Sequence, residues 1–498
     1  MIGSTTEDGE ARDQQEGLKH RAVRGALVTG LGQVASFVLR TGSMVIMARL
    51  LLPRDFGLVG MVAAFTGFLN LFRDFGLSMA SVTRASVTEE QLSTLFWVNV
   101  LVGVILAALC VAAAPFLGAF YREPELPLIA AILGVGFLFN GMAAQHRALL
   151  QRSMRFGSLA AIDLIGLVTG IAASVGLALS GFGYWALVVM ALSQPVVGAI
   201  GAWLRTRWWP GWPRRRAGVR SMLWYGGTVT LNSVVAYIAY NMDKVLLGRF
   251  WGADALGLYG RAYQLITIPT DNLNFTVSQV AFPALARIQN EPARLRRYFL
   301  EGWHVFMAVV VPVTVSCGLL ADDIVRVFLG TRWHQAADIF ELLAPTVLVF
   351  GLVNPFGWLL MATGHSVRSL KIALMIAPAV FVGYLIGLPY GPAGVATGFS
   401  CAMVVMVVPA LMWAIQGTLI SGRDVMREMV SPLLSVVAGA IATVAVRNYT
   451  GAIDTALWRL SAESAVLFGV YGLVLVFGMN QKTRYIRVAR GVFRERFA

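Results

Sequence analysis

Residues 92–120 spell LSTLFWVNVLVGVILAALCVAAAPFLGAF, a run that contains no Asp, Glu, Lys or Arg. As an α-helix rising about 1.5 Å per residue, this run is long enough to cross a hydrocarbon layer of about 30 Å. A helix satisfies its own backbone hydrogen bonds there, and the run lacks the regular alternation of polar and apolar residues that a barrel strand needs. The stretch therefore predicts a membrane-spanning helix.

Similar apolar runs recur along the whole chain of 498 residues, which is 57% hydrophobic and only 13% charged. The mean hydropathy is +0.70. These properties predict an all-α polytopic membrane protein with about fourteen transmembrane helices. The predicted spans are 24–50, 55–80, 92–120, 126–150, 157–180, 183–204, 221–248, 255–284, 299–321, 336–363, 369–389, 391–416, 429–447 and 457–479.

The distribution of Lys and Arg among the loops predicts the orientation. With the N-terminus in the cytoplasm, about 27 basic residues fall in cytoplasmic segments and about 8 in the alternate segments, as the positive-inside rule requires. We therefore expect both termini to be cytoplasmic. The net charge of +14 is then mostly a consequence of topology, and it does not indicate nucleic-acid binding.

The chain also contains a weak internal repeat at an offset of 200 residues. Its densest part aligns residues 49–60 with residues 249–260. Six spans separate the copies, and this even number predicts two halves inserted the same way up. The predicted domains are a polar cytoplasmic N-terminus (1–23), an N-lobe (24–204), a basic Trp-rich cytoplasmic linker (205–220), a C-lobe (221–416), two extra helices (417–479) and a basic cytoplasmic tail (480–498).

Charged residues inside the apolar runs are the candidate functional residues, because a charge in a membrane must be compensated or used. Arg40 lies in the first span, and it has no carboxylate next to it in the sequence. The other five are Arg73 and Asp74 in the second span, Asp243 and Lys244 in the seventh, and Arg261 in the eighth. For the adjacent pairs, mutual neutralisation or snorkelling remains an alternative to a role in a cavity.

Polar side chains follow the same helix faces as these charges. Gln33 shares a face with Arg40, and Tyr240 and Asn241 lie just before Lys244. Amides and tyrosines suit a sugar chain, and guanidinium groups suit a diphosphate. Hydrogen bonding between helices is the alternative role.

Three further polar residues lie inside predicted spans. Asp163, Glu301 and His304 are candidates for pairing with basic residues or for carrying a coupling proton. The five histidines are scattered without metal-ligand spacing, and there is no phosphate-binding glycine loop. We therefore expect no metal site, no cofactor and no enzyme activity.

Several segments carry a resemblance to a known family. They are GLGQ at 30–33, MARLLLPRDFGL at 47–58, FRDFGL at 72–77, YNMDK at 240–244 and GLYGRAY at 257–263. The chain resembles bacterial polysaccharide-transport proteins of the Wzx (WzxC-like) type. These proteins belong to the multidrug/oligosaccharidyl-lipid/polysaccharide exporter superfamily.

The resemblance implies a flippase that moves an undecaprenyl-diphosphate-linked oligosaccharide across the bacterial inner membrane, for exopolysaccharide, capsule or O-antigen assembly. It implies alternating access, membrane lipids around the protein, and a polysaccharide polymerase or co-polymerase as a candidate partner. Coupling to H⁺, to Na⁺ or to the membrane potential stays open. On this interpretation Arg40, Arg73, Lys244 and Arg261 contact the diphosphate or glycan, and Asp74 and Asp243 set their geometry.

Three rival functions remain at this stage. A cation-coupled multidrug or metabolite antiporter of the same superfamily would favour a carboxylate in the first span, where this chain has Arg40. A lipid II flippase would need much the same basic cavity. A membrane scaffold without transport activity would have its buried charges in closed pairs.

Overall fold

The computed structural model describes residues 30–73, 88–213, 220–451, 453–482 and 485. In these ranges, ten segments are helical, long and apolar enough to cross a membrane. One of them, Ser366–Ile415, contains two helices in succession. The predicted fold class is confirmed: the chain is an all-α, multi-pass membrane protein.

The contacts divide the chain into two units, with the boundary after Gly257. In the first unit the helix that starts at Arg220 bends at Gly252, whose φ of 81° and ψ of −173° suit glycine alone. We name its two parts α7, before the bend, and α8, which continues to Arg287 in the second unit. The preceding helices are α1 (Gly30–Leu50), α2 (Pro53–Asn70), α3 (Glu89–Tyr121), α4 (Leu126–Arg152), α5 (Phe156–Leu179) and α6 (Tyr184–Thr206).

Among its described residues, the second unit continues from α8 with six long helices and two short ones. One predicted span, 336–363, was wrong at its start: the chain forms a separate short helix there, and a new helix begins at Pro345. Proline suits this first position because it has no N–H to leave unsatisfied. The helices are α9 (Pro292–Leu319), α10 (Ala321–Phe328), α11 (His334–Leu343), α12 (Pro345–Ala362), α13 (Ser366–Gly387), α14 (Gly391–Ile415), α15 (Gly422–Thr450) and α16 (Ala456–Leu473).

Polar residues at the ends of the apolar runs determine where two helices begin. At α3, the Thr88 hydroxyl accepts the Gln91 N–H at 3.3 Å, and Thr88 N–H donates to the Gln91 side chain at 3.2 Å. At α15, Ser421 and Asp424 make the same reciprocal pair at 3.2 and 2.9 Å. Each pair satisfies two backbone N–H groups that the helix leaves without partners.

Glycines allow neighbouring helices to approach closely within each unit. In the first unit, a Cβ at Gly103 would lie 2.6 Å from the carbonyl oxygen of Phe137, so α3 and α4 are in backbone contact. In the second unit, Gly383 of α13 meets the backbone of Gly398 of α14 in the same way. Small residues are the usual means of close helix packing in membranes, where lipid and side chains are equally apolar.

Candidate functional site

A polar stripe on α7 connects several of the predicted site residues. The Tyr237 hydroxyl donates to the carbonyl oxygen of Ala64 at 2.9 Å and so ties α7 to α2. One turn later, the Asn241 amide donates to the Tyr237 carbonyl at 3.0 Å. The Lys244 ammonium then donates to the Asn241 side-chain oxygen at 2.6 Å. A cation and a neutral amide, both predicted, are therefore in direct contact on one helix face.

Asp243 takes a different direction from its neighbour Lys244. Its side chain is fully buried, and one carboxylate oxygen accepts the Lys244 backbone N–H at 2.8 Å. Successive helical positions point about 100° apart because a turn holds about 3.6 residues. The carboxylate therefore lies in the interior while the Lys244 ammonium lies against Asn241. Tyr240, the remaining predicted residue of this helix, is half-buried.

The predicted residues of α1 and α2 are exposed. Arg40 and Gln33 both lie on exposed positions of α1, and the Arg40 carbonyl accepts a hydrogen bond from the Ser43 hydroxyl at 2.8 Å. Arg73 follows α2, with its guanidinium 3.4 Å from the Asn70 side-chain oxygen. Within the described part of the chain, neither arginine forms an ion pair. Asp74 lies outside the described residues.

The second unit contains Arg261, which is half-buried on α8. The predicted coupling residues are divided between the units. In the first, Asp163 of α5 forms a two-point ion pair with Arg147 of α4 at 2.9 and 3.0 Å. In the second, Glu301 is exposed and His304 is fully buried.

The ring of His304 has a polar group at each nitrogen. Nδ1 lies 3.0 Å from the Glu428 carbonyl and 3.1 Å from its carboxylate, and Nε2 lies 3.0 Å from the Tyr485 hydroxyl. Asp163 and His304 therefore both take part in specific local contacts. Whether either of them carries a coupling proton stays a prediction.

Two buried polar contacts in the second unit were missed by the sequence analysis. The Arg459 guanidinium donates to Asp323, which is only 3% exposed, at 2.8 and 2.9 Å. The Thr450 hydroxyl donates to the fully buried Glu463 at 2.7 Å. The first pair joins residues 136 positions apart, and only the presence of an arginine near an apolar run signalled it in the sequence.

An apolar pocket adjoins the polar stripe of α7. It has a volume of about 260 Å³ and lies between α2, α3 and α7, which all contribute aromatic side chains. At its rim the Arg249 guanidinium lies 5.6 Å from the centre of the Phe120 ring. Sequence reasoning missed this pocket because its walls come from three separate parts of the chain. Its lining is Ala64, Phe65, Phe68, Phe116, Leu117, Phe120, Tyr121, Tyr237, Ile238, Asn241, Met242 and Val245.

Comparison with known families and proteins adds to this geometry. A family described as "Polysaccharide biosynthesis protein" matches residues 46–338, which is more than half of the chain. The teichuronic acid biosynthesis protein TuaB of Bacillus subtilis (strain 168) is 31% identical over 306 residues, covering 60% of this chain and 63% of TuaB. The lipopolysaccharide biosynthesis protein WzxC of Escherichia coli (strain K12) is 25% identical over 402 residues, covering 79% of each chain. The chain thus spans less than two thirds of TuaB and about four fifths of WzxC.

The fold also matches a solved structure. The lipid II flippase MurJ, in an inward closed conformation, superposes with a TM-score of 0.73. The match covers 91% of this chain and 99% of MurJ at 15% sequence identity. At this identity the likeness establishes the fold, and the substrate must be argued from the side chains.

Proposed function

Because the chain belongs to the polysaccharide biosynthesis protein family, we propose that it is a flippase for undecaprenyl-diphosphate-linked oligosaccharide repeat units. The repeat units would serve exopolysaccharide, capsule or O-antigen assembly. The observation that carries the proposal is Lys244, whose ammonium lies against the Asn241 side-chain oxygen on α7. A half-buried cation beside an amide suits a substrate that has a diphosphate and a sugar chain.

The balance of charge supports an anionic substrate. The six charged residues singled out within apolar runs comprise four cations and two carboxylates. In the first span, where a cation exporter of this superfamily would favour a carboxylate, the chain has the exposed Arg40. A basic, amide-rich pathway would shelter the diphosphate and sugars while the lipid chain remains in the bilayer. The repeated halves would alternate access between the two faces of the membrane.

The proposal includes the cellular setting. The protein would lie in the bacterial inner membrane with both termini in the cytoplasm, and it would transport its substrate without catalysing a covalent reaction. Trp209 and Trp212 of the basic linker are 79% and 87% exposed, which suits residues seated among lipid headgroups. A polysaccharide polymerase or co-polymerase as partner, and coupling to H⁺, Na⁺ or the membrane potential, remain predictions.

The proposed function can be tested by deleting the gene and measuring lipid-linked repeat units in each leaflet. We expect the units to accumulate in the cytoplasmic leaflet and surface polysaccharide to disappear. Unaltered polysaccharide would exclude the proposed function. A loss of viability with cell-wall defects, in cells that still export polysaccharide, would indicate lipid II as the substrate instead.

Complementation by variants tests the proposed site. A charge-assisted hydrogen bond contributes about 1.5–3 kcal/mol, so Lys244→Ala and Arg40→Ala should each lower transfer roughly 10- to 150-fold. Lys371→Ala is the matched control, because Lys371 is an exposed lysine on α13 outside the proposed site. Immunoblots should show equal amounts of all variants. Full restoration by both Lys244→Ala and Arg40→Ala would exclude the assigned site residues.

A further inference from the structure

The pocket between α2, α3 and α7 opens away from the protein interior. Phe116 and Ile238, which form part of its wall, are 67% and 45% exposed. Ala64, which also lines the pocket, is only 7% exposed. Exposed apolar side chains of this size suit contact with lipid. The pocket is therefore an indentation that a hydrocarbon chain can enter from the bilayer.

The polar groups of the lining do not make the pocket polar. The Tyr237 hydroxyl donates to the Ala64 carbonyl at 2.9 Å, and the Asn241 amide group donates to the Tyr237 carbonyl at 3.0 Å. The Asn241 oxygen accepts from Lys244 at 2.6 Å. Because the polar groups of Tyr237 and Asn241 bond to the protein itself, and every other lining residue except Tyr121 is apolar, the pocket offers an apolar, largely aromatic surface. Such a surface favours a hydrocarbon over a sugar.

A cation lies at the rim of this apolar surface. The Arg249 guanidinium lies 5.6 Å from the Phe120 ring, which lines the pocket, and 5.8 Å from the Phe250 ring. Within the described residues it has no ion-pair partner. Guanidinium groups bind phosphate with two parallel hydrogen bonds. An anion bound by Arg249 would therefore lie close to the Phe120 ring, next to the surface that binds the hydrocarbon chain.

We infer that this pocket binds the first isoprene units of a polyprenyl phosphate, with Arg249 contacting the phosphate. The inference rests on the proposed function and extends it to the lipid part of the substrate. A carbon group of an isoprene unit takes up about as much space as a water molecule in the liquid, which is about 30 Å³. The pocket volume of about 260 Å³ therefore accommodates roughly two five-carbon units. In a polyprenyl phosphate the chain joins the phosphate directly, whereas glycerol and ester groups separate phosphate from chain in a phospholipid. The short distance between Arg249 and the pocket wall fits the direct connection.

The test uses the purified full-length protein in lipid nanodiscs with a polyprenyl phosphate that carries a diazirine near its phosphate. We expect labelling of the segments 64–68, 116–121 or 237–250, the last of which includes Arg249, with competition by undecaprenyl phosphate and weak competition by phosphatidic acid. Labelling elsewhere in the chain, or equal competition by phosphatidic acid, would overturn the inference. The second result would assign the pocket to ordinary phospholipid.

Two variants with matched controls sharpen the test. Ile238→Trp fills the pocket from its lipid-facing side, and Arg249→Gln removes the phosphate contact; each should reduce labelling about tenfold. Ile105→Trp is the control for the first, because Ile105 is 48% exposed on α3 and lies outside the pocket lining. Arg332→Gln controls for the loss of an exposed arginine. Equal labelling of the two variants and their controls would contradict the inference.

Failure of the inference and failure of the proposed function are distinguishable. If labelling maps outside the pocket while the deletion strain accumulates repeat units in the cytoplasmic leaflet, the pocket assignment is wrong and the flippase function stands. If labelling maps to the pocket while the deletion leaves polysaccharide unaltered, polyprenyl phosphate binding stands and the flippase function is wrong. Circular dichroism of each variant verifies that the helices are intact.

Discussion

Replacing Gly57 by alanine should open the contact between the start of α2 and the bend that ends α7. A Cβ at Gly57 would lie 2.8 Å from the Cα of Ala253 and would overlap its carbonyl group. A Cβ at Gly257 would lie 2.6 Å from the carbonyl carbon of Pro53. The offset of 200 that relates the repeats pairs Gly57 with Gly257 and Pro53 with Ala253. The close contact of Gly57 with Ala253 is therefore repeated, at the equivalent positions, by Gly257 with Pro53.

The size of the effect follows from the overlap. Ordinary van der Waals contact begins at 3.4 Å, so an added Cβ at Gly57 must move away from the Ala253 Cα by at least about 0.6 Å, and the Ala253 carbonyl group, which lies closer still, requires a larger displacement. The obstacle is backbone and cannot turn aside as a flexible side chain does. Forcing an extra carbon into a packed site costs about 1–3 kcal/mol. That free energy should increase the population in which the contact is open roughly 5- to 150-fold.

The accessibility of a cysteine at residue 256 measures this population. Leu256 is 3% exposed and packs over Gly60. Its Cδ2 lies 3.6 Å from the position that a Cβ on Gly60 would occupy. In a chain whose native cysteines have been replaced, Leu256→Cys should react slowly with a membrane-impermeant maleimide. Adding Gly57→Ala should increase the rate of this reaction roughly 5- to 150-fold, in proportion to the population in which the contact is open.

The repeat provides the control for this experiment. Gly260, which aligns with Gly60, has nothing within 4 Å of an added Cβ, so Gly260→Ala should leave the rate unchanged. If Gly57→Ala and Gly260→Ala give the same rate, the contact at Gly57 does not hold the two segments together. The steric reasoning would then be refuted.

Two further predictions concern the second unit, and both can be measured as the midpoint of thermal unfolding in detergent. Arg459→Ala leaves the 3% exposed Asp323 without its cation, which should lower the free energy of unfolding by about 3–5 kcal/mol. Arg326→Ala removes the exposed ion pair with Asp322 one helical turn away, which should lower it by only about 0.3–0.5 kcal/mol. Equal midpoints for these variants would show that the buried pair contributes little. Gly383→Leu should lower the midpoint because its side chain meets the backbone of α14, whereas Gly469→Leu, with open space around the added Cβ, should not. The packing argument fails if Gly469→Leu lowers the midpoint as much.

The positions of the long helices could be predicted from hydropathy because the length of an apolar run is a local property. Residues 92–120 were predicted as one span, and the structure has α3 at Glu89–Tyr121. The main difference is at 336–363, where one apolar window hid the end of α11 and the start of α12. The mean hydropathy of a sequence window does not reveal a break between two helices when the residues on both sides of the break are apolar.

The site was only partly accessible from the sequence. Spacing along α7 predicted that Asn241 and Lys244 share a face, and their hydrogen bond of 2.6 Å agrees with this spacing. Spacing did not reveal that Asp163 would meet Arg147, since they lie on different helices. It also did not reveal the pocket beside Tyr237, because the rotation of α2 and α3 about their axes decides which side chains face it.

The sequence by itself determined that this is a multi-pass helical membrane protein with a few charges inside its apolar runs. Both properties are sums over neighbouring residues, and a helix in lipid must satisfy its backbone within its own segment. Only the tertiary structure decided the direction of each charge: Asp243 is buried while Lys244 lies against Asn241. It also decided that Arg249 lies over the Phe120 ring. These contacts join distant parts of the chain, and they depend on how whole helices pack against one another.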